Sequence, residues 1–192
     1  TECDYKKGLS DEETRDHMRL IMEELELKQE DRAPVKPARA YAERLMKRTV
    51  DNEIPAVIAF ELNDGRIITG RTSDLTDACS SAILNAIKAL ANISDDILLL
   101  SPVILEPIKK LKSDGLHKRI PTLTANEILI ALSISAVTNP TAQLAYDKLS
   151  ELKDVQAHST VILNKDDDQI LRNLGLDITC DPVYPSENLY YV

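Results

Sequence analysis

The stretch "TGRTSDLTDACSSAILNAIKALANI" (Thr69–Ile93) gathers Arg71, Ser73, Asp77 and Cys79 where a strand hands over to a helix. The first N–H groups of a helix lack internal partners, so such a junction can hold anions and polar ligands. Arg71 is the cation placed to meet a phosphate or carboxylate, with a plain surface role as the alternative. Asp77, near the first helical turn, suits the positive end of the helix dipole. Ser80, Ser81 and Asn85 fall on the polar side. Cys79 falls on the apolar stripe and reads as a small buried hydrophobe, with no base adjoining it to generate a thiolate.

A second junction lies at "SPVILEP", where Ser101 caps a helix and Pro102 occupies its first turn. If both helices start at one edge of a sheet, their tips face a common crevice. "AHSTVIL" reads as a strand carrying His158 and Ser159. Neighbours in a strand point to opposite faces, so these two cannot form a nucleophile–base pair with each other. The candidate crevice residues are therefore Arg71, Ser73, Asp77, Ser101, His158 and Ser159. They fit a non-catalytic ligand-binding or assembly role. They also fit a metal-free acid–base site with Asp77 as carboxylate and His158 as base, provided both converge on one pocket.

Other chemistries are poorly served. Cys3, Cys79 and Cys180 are far apart in sequence, and His17, His117 and His158 form no HxxxH pair. The expectation is reduced thiols in a cytoplasm, no zinc site built from neighbouring ligands, and no cofactor in this chain. The net charge of −9 and the scarcity of aromatic residues disfavour nucleic-acid binding. No apolar run is long enough to span a bilayer, so no membrane partner is expected. The one basic cluster, "KKLKSDGLHKR" (Lys109–Arg119), reads as a solvated helix end, with a phosphate contact as the lesser reading.

The elements that must position these residues begin with a helical region over 1–50. Ser10 and Glu13 form a capping-box spacing ahead of an apolar stripe at Met18, Ile21, Met22 and Leu25. A second helix puts Ala38, Tyr41, Ala42 and Leu45 on one face, and "KRTVDNE" reads as a linker. From Ile54 the chain reads β-β-α-β-α, two inserted helices, then β-α-β. "NDG" turns the hairpin, "DILLL" is a short buried strand, and Thr124 with Glu127 opens a helix apolar nearly all round. "AHSTVIL" and "LDITC" flank the last helix, which Gly175 stops. The tail "DPVYPSENLYYV" should lie extended. A hairpin followed by alternating helices and strands predicts an α/β three-layer α-β-α sandwich with a mixed sheet over 51–192.

That element order resembles the cytidine-deaminase-like fold, whose first helix carries H-A-E and whose second opens with P-C-x-x-C. Here those places read Asp77-Ala78-Cys79 and Ser101-Pro102-Val103-Ile104-Leu105, so neither zinc ligands nor the proton-relaying glutamate are supplied. The blocks "YKKGLSDEETRDHMRLIMEELELKQEDR", "LNDGRIITGRTSDL", "SAILNAIKALANISDDILLLSP", "ILIALSISAVTNP" and "AHSTVIL" look like the C-terminal part of the bacterial domain-of-unknown-function 1846 proteins. This resemblance covers essentially the whole chain and implies a much longer protein. It implies an amino-terminal part that carries a loop like those that bind phosphate and that packs on the helices of 1–50. No G-x-x-x-x-G-K-[ST] occurs in this chain. The expected partners are that missing part, further copies of the chain, and a small-molecule or nucleotide ligand. The Met/Leu stripe or Tyr190–Tyr191 would hold subunits together in an oligomerisation scaffold.

Overall fold

A continuous apolar run, buried on both faces, organises the hairpin. The computed structural model describes residues 1–47, 55–118 and 121–185. In it β1 (Val57–Glu61) and β2 (Ile67–Arg71) pair antiparallel, with Ile58 opposite Gly70 and Phe60 opposite Ile68. Asn63-Asp64-Gly65 closes the turn, Gly65 at φ +81° and Leu62 N–H donating to Arg66 C=O at 2.9 Å. β3 (Gln156–Ser159) adds antiparallel to β1, and β4 (Asp177–Cys180) adds parallel to β3 across a helical crossover. The result is an open, mixed four-stranded sheet in the order β2-β1-β3-β4.

The strand period of two divides the packing between the faces. Val57 and Ala59 meet Ala38 and Ala42 of α3 (Val35–Met46). Ile58, Phe60, Ala157 and Ile178 face the larger core. That core takes in Ile83 and Ile87 of α4 (Ala78–Leu90), Ile128 and Leu132 of α6 (Ala125–Ala136), Ala142 and Ala145 of α7 (Pro140–Tyr146) and Leu171 of α8 (Lys165–Asn173). Cys79 is buried in it, as its place on the stripe suggests. Two short amino-terminal helices, α1 (Glu2–Lys6) and α2 (Glu12–Glu24), bury no residue fully, and α5 (Pro102–Lys110) buries only Leu105.

Several expectations need correction. The run Asp96–Leu100 forms turns rather than a strand: Leu99 and Leu100 are buried while Ile97 and Leu98 are exposed, a pairing by neighbours that a pleat cannot make. The deaminase-like order therefore lacks its middle strand. Asp11, not Ser10, caps α2, accepting from Thr14 N–H at 2.7 Å. Lys112, read as a solvated cation, is buried and bonds Glu127 at 2.7 Å and Thr122 C=O at 2.6 Å. The helix opened by Thr124 is buried on one side only, and Ile130, Ile134 and Val137 remain exposed along the other. The linker after Lys47 and the tail after Pro185 lie outside the described residues.

Candidate functional site

Three helix tips converge, and they are not the two that the sequence order suggests. Asp77 caps α4, its carboxylate accepting from Ser80 N–H at 2.7 Å. Its own N–H donates to Leu123 C=O at 3.1 Å, and Leu123 N–H to Leu75 C=O at 2.8 Å, so the approach to α6 is zipped onto the approach to α4. Thr124 and Glu127 close the predicted capping box on α6. Asn164 caps α8 by accepting from Asp167 N–H at 2.8 Å, and the Asp167 carboxylate then reaches Ala125 N–H at the start of α6 at 3.4 Å.

The Asp77 and Asp167 carboxyls meet at this junction, near enough for each to act on the other's protonation. Burial first, and the charge of Asp167 second, push the Asp77 carboxyl up to about 7. Burial also raises Asp167, and with both acids nearby it raises the Cys79 thiol. Such a pair holds one proton between two carboxyls near neutrality. Its oxygens are engaged by the first turns of α4, α6 and α8, so its evident work is to tie three helix starts together.

The six candidates do not line one crevice. Arg71 ends the edge strand β2 in solvent, its guanidinium donating to Thr72 C=O at 3.3 Å. Ser73 closes a tight turn, accepting from Thr76 N–H at 3.0 Å. Ser101 caps α5 as expected, accepting from Val103 N–H at 3.3 Å. It is the opposite end of that nine-residue helix that meets the α4 approach, where Lys109 Nζ donates to Asp74 C=O. Ser101 thus stands roughly 13 Å down the helix from that contact. Ser159 faces the larger core and donates to Val161 C=O at 2.7 Å. His158 shares a face with Ala59, on the α3 side, whereas Asp77 starts a helix on the other side. Those two side chains cannot act on one substrate, which overturns the Asp77/His158 acid–base pair.

His158 has partners that a reading of its neighbours could not supply. Its Nδ1 lies 2.9 Å from Thr179 Oγ1, and its Nε2 lies 3.4 Å from Asp181 Oδ1, too long and too poorly aimed for a good hydrogen bond. Asp181 accepts from Arg39 Nη2 at 2.6 Å and Nε at 3.1 Å, and Arg39 also holds Glu30 and Gln29. Arg39, Asp181, Glu30 and Gln29 line a groove of about 610 Å³ together with Glu2, Met18, Met22 and Val183, while His158 stays buried behind it. Against the burial that would raise it, His158 and Arg39 hold the Asp181 carboxyl down at about 2. A depressed carboxylate stabilises the fold above its unfolded value near 3.8 and loses that contribution as pH falls towards 2. Asp181→Asn is expected to cost on the order of 2 kcal/mol at pH 6. In urea melts the gap between variant and parent should narrow at pH 3; a gap that stays constant refutes the assignment.

Residues 30–190 match the family described as "Domain of unknown function DUF1846, C-terminal". The chain is 58% identical over 191 residues to a UPF0371 protein of Clostridium tetani. It is 57% identical over the same length to UPF0371 proteins of Clostridium botulinum and Clostridioides difficile. In each case the match covers the whole chain but only 38% of the relative's length. The match over residues 30–190, most of the chain, makes this protein a member of the DUF1846 family, within its C-terminal domain.

Proposed function

We propose that this chain is the non-catalytic assembly domain of a longer, cytoplasmic bacterial protein, and that the amino-terminal part of that protein docks on the outer face of α6. The observation that carries this reading is the exposure of α6. Ile130, Ile134 and Val137, spaced four and three residues apart on one stripe, are 54%, 67% and 82% exposed. A helix apolar nearly all round belongs inside a protein, and among the described residues none covers this side of α6. Leu144 and Tyr146 are exposed on the adjoining α7. Burying such side chains fully yields about 1.5–3 kcal/mol each, so a few of them make a stable contact. The relatives carry more than half their length outside the match, which supports the protein's own amino-terminal part as the occupant.

An antiparallel hairpin at one edge of the mixed sheet β2-β1-β3-β4 is the feature that supports a deaminase-like description, from which the chain departs at Asp96–Leu100, where the expected middle strand does not form. A small-molecule or nucleotide ligand would belong to the amino-terminal part or to the Arg39–Asp181 groove.

The test places Ile134→Asp with Val137→Asp both in this chain and in a full-length relative. In the chain alone the Tm should stay within about 2 °C, as for surface positions. In the longer protein it should fall by at least about 5 °C, with new binding of a hydrophobic dye. Equal effects in both would overturn the reading. So would dimerisation of the isolated chain that the two aspartates abolish, because the occupant would then be a second copy.

A further inference from the structure

Cys3 and Cys180, 177 positions apart, bring their sulfurs to 2.9 Å. Both are free thiols and partly buried, and the Cys3 thiol also lies 3.0 Å from the Cys180 carbonyl oxygen, to which it donates. Cys3 belongs to a five-residue helix without one fully buried residue. Cys180 is the last residue of the edge strand β4. Otherwise α1 is held to α2 by the exposed Glu2–Arg19 pair at 2.7 Å and by Arg15 lying 4.3 Å over the Tyr5 ring. Exposed pairs of this kind stabilise little.

We propose that Cys3 and Cys180 are a reversible oxidation site, at which a peroxide converts the two thiols to a disulfide that fastens α1 to the edge of the sheet. A disulfide needs its sulfurs about 2.05 Å apart, so the pair must close by less than about 1 Å. The two sulfurs are already in contact, so a small shift of α1 against the end of β4 completes the closure. The contact between the two sulfurs and the nearby Lys7 lower the Cys180 thiol against its burial, while the same contact and burial raise Cys3. Cys180 is thus the attacking sulfur and Cys3 the resolving one.

The Cys180 thiolate attacks a peroxide oxygen: an S–O bond forms, the O–O bond breaks, and hydroxide leaves. Cys3 sulfur then attacks Cys180 sulfur: the S–S bond forms, the S–O bond breaks, and the hydroxyl departs with the Cys3 proton as water. Two thiols and one hydrogen peroxide give one disulfide and two waters. A dithiol reductant reverses the change by exchange. Thr1 and Glu2 line the groove opposite Asp181 and Val183, so the bond would fix one of its walls.

Hydrogen peroxide is the probe, applied to the parent and to a Cys79→Ser variant, with intact mass, non-reducing peptide maps and amide exchange as readouts. Both proteins should lose two thiols and about 2 Da, join the Cys3 and Cys180 peptides, and recover with dithiothreitol. Amide exchange in α1 should slow about tenfold on oxidation. Cys3→Ser should leave Cys180 as a sulfenic acid that a dimedone probe traps. Failure to join these two peptides, cross-links through Cys79, or unchanged exchange in α1 would each overturn the proposal.

Discussion

Gly70→Ala is expected to destabilise the fold by about 3 kcal/mol or more, a drop in Tm of roughly 6–12 °C for a chain of this size. A Cβ at position 70 would lie 2.1 Å from Ala82 N, 2.5 Å from Ala82 Cα and 2.7 Å from Ser81 C. All three are backbone atoms of α4, so no rotamer relieves the clash and the helix must lift off β2. Lifting it opens the contact that Ile83 and Ile87 make with the sheet, the centre of the larger core. The control is Gly65→Ala in the hairpin turn. There φ is +81° and nothing lies within 4 Å, so the substitution meets only backbone strain of about 1–2 kcal/mol. Ala82→Gly should not rescue Gly70→Ala, because the obstructing atoms remain. A rescue, or equal losses at the two glycines, would show that α4 does not lie flush on the strand.

Gly70 also marks the limit of what the residues disclose. A glycine inside a strand signals close approach of another backbone but does not say which one. The hairpin was legible because "NDG" and the apolar run at Val57–Phe60 are local signals, and the same holds for the Thr124–Glu127 box and for "LDITC"; of "AHSTVIL" only Ala157–Ser159 forms strand, and Thr160–Leu163 leaves the sheet. "DILLL" was not, since a short apolar run fits a strand, a helix segment or a buried loop equally well. The crevice failed with it: without that strand, α5 meets the α4 approach by its carboxy-terminal end. Asp167 sat inside "KDDDQ", where a charge run at a helix start needs no further cause. The spacing Asn164–Asp167 nonetheless repeats a capping pattern, the one local sign that Asp167 faces a helix tip. Cys3 with Cys180, and Arg39 with Asp181 and His158, are long-range pairs that only the assembled sheet creates.

Asp77→Asn is expected to make the protein more stable than its parent at pH 8 and about equally stable at pH 4. The sign follows from a folded-state carboxyl raised to about 7 against an ordinary value of 3.8. Below pH 4 both folded and unfolded chains hold the proton, and stability is fully present. Between pH 4 and 7 the unfolded chain has released it while the folded chain keeps it, so stability falls as pH rises. Above pH 7 the loss is complete, on the order of 4 kcal/mol for the whole shift. Asparagine imitates the protonated acid: its oxygen still accepts from Ser80 N–H, and its NH₂ offers Asp167 a donor without a charge. Asp77→Ala, by contrast, forfeits the cap and should be weaker by about 1 kcal/mol even at pH 4. The quantity to measure is the difference in urea stability between parent and Asp77→Asn at pH 4, 6 and 8, which cancels the Asp181 contribution below pH 4. A difference that does not change with pH would mean that the fold does not raise the Asp77 carboxyl. A difference that grows with pH would place a carboxyl that keeps its proton at the point where α4, α6 and α8 begin, and α6 is the helix whose outer face is proposed to receive the rest of the protein.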